Sequence, residues 1–103
     1  MVKKVIPVAF KPVGGTTATV TLRLELWDDS ETVKLVELTK TRLVDYLDET
    51  SIKAMKQAFL DDFNNSITLA QQAQEKMQEI YGTTDFHEAL SNLASEIEQG
   101  LTA

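Results

Sequence analysis

The chain has one histidine, His87, set between Asp85 and Glu88. A general base with an orienting carboxylate would use these residue types. On a helix, however, positions two behind and one ahead of a histidine face away from it, and no second histidine completes a metal set. His87 is therefore expected to be a solvated first-turn residue. The run Asp28-Asp29-Ser30-Glu31 gathers carboxylates as a calcium loop does. An EF-hand, though, alternates its ligands about a central glycine and closes on a distal glutamate, neither of which is present. The run reads as a polar turn. Asp45, Asp48 and Glu49 share one prospective helix face, and Glu75 and Glu79 another. Without convergent partners they do not form an acid–base pair. Gly14-Gly15-Thr16-Thr17 lacks the lysine and the strand-to-helix setting of a phosphate loop, and no serine lies in a nucleophile elbow. The chain has no cysteine, which excludes disulfides, thiolate metal sites and thiol catalysis. The expectation is a non-enzyme with no cofactor and no resident metal.

Composition narrows the partners. At 103 residues, 43% hydrophobic and 25% charged, one globular domain spanning residues 1–103 is expected. The net charge of −6 is unevenly placed: residues 1–38 hold five cations and five anions, whereas from Asp61 onward eight carboxylates face the single cation Lys76. That balance argues against direct nucleic-acid binding and against anionic membrane surfaces. The apolar opening Val5–Phe10 is broken by Pro7 and closed by Lys11, too short for a secretory leader, and no window reaches the length of a membrane span. A cytoplasmic protein is expected.

Hydrophobic spacing supplies the elements. Over residues 17–27, Val20, Leu22, Leu24 and Leu26 alternate with Thr19, Thr21, Arg23, Glu25 and Trp27, the period of a strand with one apolar face. Ile6, Val8 and Phe10 alternate with Val5, Pro7 and Ala9; Pro7 lacks a ladder donor and places this strand at an edge. Pro12-Val13-Gly14-Gly15-Thr16 supplies turn chemistry between them. The sheet is expected to be this antiparallel β-hairpin or, with a third strand over Thr32–Leu38, a three-stranded meander. The alternation of the third strand is spoiled by the adjacent Leu35 and Val36. From Thr39 the spacing of Leu43, Val44 and Leu47 predicts a short helix, so the sheet part is assigned to 1–38 and the helical part to 39–103.

A long helix is expected over Ser51–Tyr81. Ile52, Met55, Phe59, Phe63, Ile67, Ala70, Ala73, Met77 and Ile80 recur in steps of three and four, with Thr50 or Ser51 as cap and Gly82 as terminator. Asn64-Asn65-Ser66 is its one weak point. A last helix follows, with Asp85 and Glu88 at capping-box spacing and Phe86, Leu90, Leu93, Ile97 and Leu101 as its stripe. The turn from Gly82 to Thr84 is short, so the two helices should pack antiparallel. The fold class is α+β.

A helix over Ser51–Tyr81 is about 46 Å long, whereas a compact domain of this size has a radius of gyration near 13 Å. The last helix covers only part of that length, so some of the stripe needs another cover. Trp27 on the polar face of its strand, and the amides Asn64, Asn65, Gln71, Gln72, Gln74 and Gln78, are the candidate interface residues. The leading expectation is a small acidic interaction or assembly module, of the chaperone or adaptor kind common in phages and mobile elements. It would bury helix surface against a protein partner or a second copy of itself. The alternative is an acidic inhibitor that mimics nucleic acid and occupies a DNA- or RNA-binding site on a partner.

Overall fold

A computed structural model describes residues 1–83 and 85–102; Thr84, in the expected turn, lies outside the described residues. The strands β1 (Val2–Gly14), β2 (Thr17–Trp27) and β3 (Lys34–Asp45) precede the helices α1 (Glu49–Tyr81) and α2 (Phe86–Gly100). The sheet is an antiparallel meander in the order β1-β2-β3. Period-two alternation gives β2 an inner face of Ala18, Val20, Leu22, Leu24 and Leu26, and an outer face of Thr19, Thr21, Arg23, Glu25 and Trp27. At the turn between β1 and β2, Gly14 (φ 143°) and Gly15 (φ 55°) take the positive φ angles that favour glycine.

The short helix expected from Thr39 is not formed. Those residues continue β3 to Asp45, so the sheet part ends at 45 rather than 38. In the strand register Leu38, Lys40, Arg42 and Val44 lie opposite Leu24, Leu22, Val20 and Ala18. Two long cations on the inner face disguise the alternation. On the outer face Thr21 and Thr41 share a cross-strand hydroxyl hydrogen bond of 2.8 Å, the pairing of β-branched residues that suits a ladder. The adjacent Leu35 and Val36 are explained by a bulge: the register shifts between Leu26 and Trp27, leaving Leu35 as the extra residue. Both side chains then reach the core. A second bulge, at Val8 in β1, flips the phase of that strand. Ile6 faces outward and Phe10 inward, where simple alternation would place them together.

α1 runs without a break through Asn64 and Asn65. Its cap is Asp48, whose carboxylate accepts from the Thr50 N–H at 3.0 Å. Ser51 is used instead to anchor the strand end, its hydroxyl accepting from the Asp45 N–H at 2.9 Å. Gly82 ends the helix in the left-handed conformation, φ 69°. α2 is capped by Asp85, which accepts from the His87 and Glu88 N–H groups. Glu88 closes the box through a relay: the Thr83 hydroxyl accepts from the Asp85 N–H and donates to Glu88.

The core lies between the inner face of β2–β3 and α1. Leu24, Leu26, Phe59, Phe63 and Ala70 are its buried members, with Val36, Leu38, Met55 and Ile67 packed around them. Arg42 of β3 reaches Asp62 of α1 in an ion pair at the flank. α1 outruns the sheet, and the molecule is elongated: 63 × 27 × 20 Å, with a radius of gyration of 18.8 Å.

Candidate functional site: an open slot over the first strand

α1 lies along β3 and not along β1. Neighbouring strands are about 4.8 Å apart, so the sheet is about 14 Å wide, and one helix about 10 Å across cannot cover it. The strand left bare is β1. Its inner-face positions Lys3, Val5, Pro7 and Phe10, opposite Leu26, Leu24, Leu22 and Val20, are all exposed, with Val5 at 54% and Phe10 at 56%. Ile6 and Ala9 on its outer face are better covered than these inner residues, the reverse of the usual order for a sheet packed on one side.

Between this strand and α1 runs an open apolar hollow of about 280 Å³, lined by Val5, Leu22, Met55, Lys56, Phe59, Leu60 and Phe63. Leu60 lies off the core stripe of α1, one position past Phe59, and is 43% exposed. Lys56 stands on the same flank. A second helix at the usual 8–10 Å spacing from α1 would sit directly over β1. The slot is one helix wide.

The candidate interface residues divide. Asn64, Gln71, Gln74 and Gln78 continue the flank of Lys56 and Leu60 in steps of three and four, by way of Ile67, whereas Asn65 and Gln72 fall on the far side of α1. Gln74 also lines a hollow of about 200 Å³ with Met1, Asp28, Leu35 and Phe86, where the sheet end, α1 and α2 meet.

Trp27 is on the opposite, outer face of the sheet and is tied into it. Its Nε1 donates to Glu25 at 3.1 Å, and the Lys4 and Lys34 ammonium groups stand 5.5 and 5.3 Å from its ring centre. Burial pushes the Glu25 carboxyl up. The hydrogen bonds from Trp27 and Lys34 and the charges of Lys34 and Arg23 outweigh it and hold the group below its ordinary value. Asp28 resolves the same way: burial raises it, but the N–H groups of Val33 and Thr32 and the hydroxyls of Thr32 and Ser30 lower it further. The acidic run at 28–31 is thus a turn built on Asp28, with Asp29 paired to the Met1 amino group and Glu31 to Lys4. Lys34 is raised by its hydrogen bond to Glu37, against burial, with Glu25 assisting.

Beyond the hollow at Gln74, α2 packs on the last turns of α1. Ala89 is buried there and Tyr81 donates to Glu96 at 3.4 Å. Burial first, then the Glu96 charge, raises the Tyr81 phenol. The rest of the α2 stripe is bare: Leu90, Leu93, Ile97 and Leu101 are all exposed, Ile97 at 56%. His87 is exposed on the first turn. The acidic residues after residue 60 are largely engaged within the chain. Asp61 accepts from Gln57, Asp62 pairs with Arg42, Glu79 with Lys76, Glu96 with Tyr81, and Asp85 and Glu88 cap α2. Among the described residues no group of three His, Asp or Glu side chains could hold a metal ion, and no helix is long and apolar enough to cross a membrane.

The slot was not legible in the sequence because it depends on which strands α1 covers. The available signal was β1 itself, apolar on both faces in a chain whose one long helix could cover only part of the sheet. Comparison with protein families, with curated proteins and with solved structures finds no match to this chain.

Proposed function

We propose that the protein is a non-enzymatic interaction module, of the assembly or adaptor kind, that takes an amphipathic helix into the slot between β1 and α1. The observation that carries this is the uncovered inner face of β1 beside the exposed Leu60 and Lys56. Exposed apolar surface that is contiguous and bordered by polar groups marks a binding groove. A helix laid there would complete the second layer that α1 leaves half built. The mimic alternative has less support, because Asp62 and Glu79 are paired with Arg42 and Lys76, and the remaining carboxylates are sparse beside duplex DNA's one charge per about 1.7 Å.

Peptides selected from a displayed random library against the full chain should be amphipathic helices with acidic flanks. Their binding should shift the amide resonances of Val5, Leu22 and Leu60 and be lost in Leu60→Asp. Selected peptides without helical periodicity, or ones that shift the Trp27 face instead, would contradict the proposal. Competition with DNA for a basic partner, unaffected by Leu60→Asp, would favour the mimic.

A further inference from the structure

We infer that the helix which fills the slot is α2 of a second copy of this chain. The inference rests on the slot being a helix-binding surface and adds the identity of its occupant. α2 has the required form: Leu90, Leu93, Ile97 and Leu101 recur at helical spacing and stand exposed, from Leu93 at 37% to Leu101 at 71%, so the described residues leave its apolar stripe only partly covered. From Leu90 to Leu101 the stripe is about 16 Å long, and the slot along α1 from Met55 to Phe63 is about 12 Å. The two surfaces match in length and in apolar character.

Charge selects the pairing. From its cap at Asp85, α2 carries Glu88, Glu96 and Glu98 with no Lys or Arg. The slot is flanked by Lys56 on α1 and Lys3 on β1, both exposed and both without an ion-pair partner among the described residues. An acidic helix against a lysine-flanked groove is electrostatically favoured over α2 against α2 or groove against groove.

The chain's own α2 does not fill the slot. Its first residue, Phe86, lies by Gln74, about 16 Å of helix past Phe63, and Glu96 meets Tyr81, so α2 runs toward the far end of α1 and away from the slot. A second copy with its α1 running antiparallel brings each α2 to the other's slot, giving two identical contacts about a twofold axis, the self-complementary arrangement that closes on itself. That axis falls at Gln71, about 9 Å past the middle of α1. Gln71 and its flank neighbours Asn64 and Gln78 would then meet their counterparts, and uncharged amides can bond to each other there.

The test uses full-length chains in sedimentation equilibrium. The unmodified protein should be a dimer. Leu60→Asp in the slot and Ile97→Asp in the stripe, both at exposed positions, should each be monomeric with unchanged helical circular dichroism. Mixed in equal amounts, the two variants should form a heterodimer, since one keeps its helix and the other its slot. Having lost one of two contacts, it should be weaker than the parent by roughly tenfold or more. A monomeric parent overturns the inference. So does a dimer that neither change affects, or a mixture that stays monomeric, which would mean like surfaces pair with like.

If either aspartate variant fails to fold, the absence of cysteine permits a second route. Leu60→Cys and Ile97→Cys, made separately and mixed, should cross-link to each other in preference to themselves; preferential self-linking overturns the inference. A monomeric parent whose slot still selects amphipathic helices from a library would remove the second copy and leave the interaction reading standing. A dimer untouched by Leu60→Asp, with a library that yields no slot binder, would remove both.

Discussion

The two ends of α1 show opposite outcomes from the same sequence pattern. Near its start, steps of three and four place Phe59 and Phe63 against Leu24 and Leu26, all nearly or fully buried. Near its end and in α2 the same steps leave Ile80, Leu93 and Ile97 in the open, with Ile80 at 61%. Nothing in the local spacing distinguishes the two. The difference is the sheet, which lies under the first part of α1 and stops near Gln74. Helical periodicity therefore reports a face that wants cover, and only a second layer supplies it. Across the sheet the contrast recurs at smaller scale: β3 is covered by α1 and β1 is not.

Truncation should separate the two ends most sharply. Phe59→Ala is expected to cost about 3–5 kcal/mol in urea unfolding, the usual loss for a buried phenylalanine. Ile97→Ala should stay within about 0.5 kcal/mol when both are measured in chains that also carry Leu60→Asp, so that association does not contribute. Comparable losses would mean the distal stripe is covered within the monomer.

The helix ends come next. Asp48→Ala removes the cap beside the sheet and should cost about 1 kcal/mol. Gly82→Ala places a side chain at φ 69°, where it meets no neighbouring atom within 4 Å, so its cost of about 1 kcal/mol is backbone strain alone. The two should differ in consequence: the second should also release α2, seen as faster amide exchange at Ala89, while exchange at Leu24 stays unchanged.

A smaller effect separates the ends by pH. Glu25 and Asp28, at the sheet, are held below their ordinary values. Their contribution is present above the ordinary carboxylate range and is lost as pH falls below about 4. Tyr81, at the distal junction, is raised. Its contribution is present below the ordinary phenol value and is lost as pH climbs past about 10. Melting temperatures across pH should show the acid limb flattened by Asp28→Asn and the alkaline limb flattened by Tyr81→Phe. Exchange of the two effects would contradict these assignments.

Much of the fold was legible because local chemistry agreed with it. The alternation in β2, the glycines at 14 and 15, the unbroken spacing through Asn64 and the terminator Gly82 each have one physical solution. β3 beyond Leu38 was not legible, since Lys40 and Arg42 occupy inner-face positions where alternation demands apolar groups, and Leu43-Val44 with Leu47 imitates a helix. The strand signal there was Thr39 and Thr41. The bulges at Val8 and Leu35 were hidden because a register shift is a property of two strands rather than one. Of the candidate interface residues, Asn64, Gln71, Gln74 and Gln78 continue the Lys56–Leu60 flank beyond the slot without lining it, while Trp27 lies on the opposite face. The slot residues Val5 and Leu60 could not be picked out without knowing where α1 sits.

In solution the slot over β1 is either filled by an α2 stripe or left open. Methyl resonances followed through a dilution series test this most directly, with Trp27 as an internal control on the opposite face. The methyls of Val5, Leu22 and Leu60 should shift with a single dissociation constant shared by Leu93 and Ile97, while the Trp27 indole signal stays fixed. Slot methyls that do not move while Leu93 and Ile97 do, or a Trp27 signal that moves with the stripe, would contradict it.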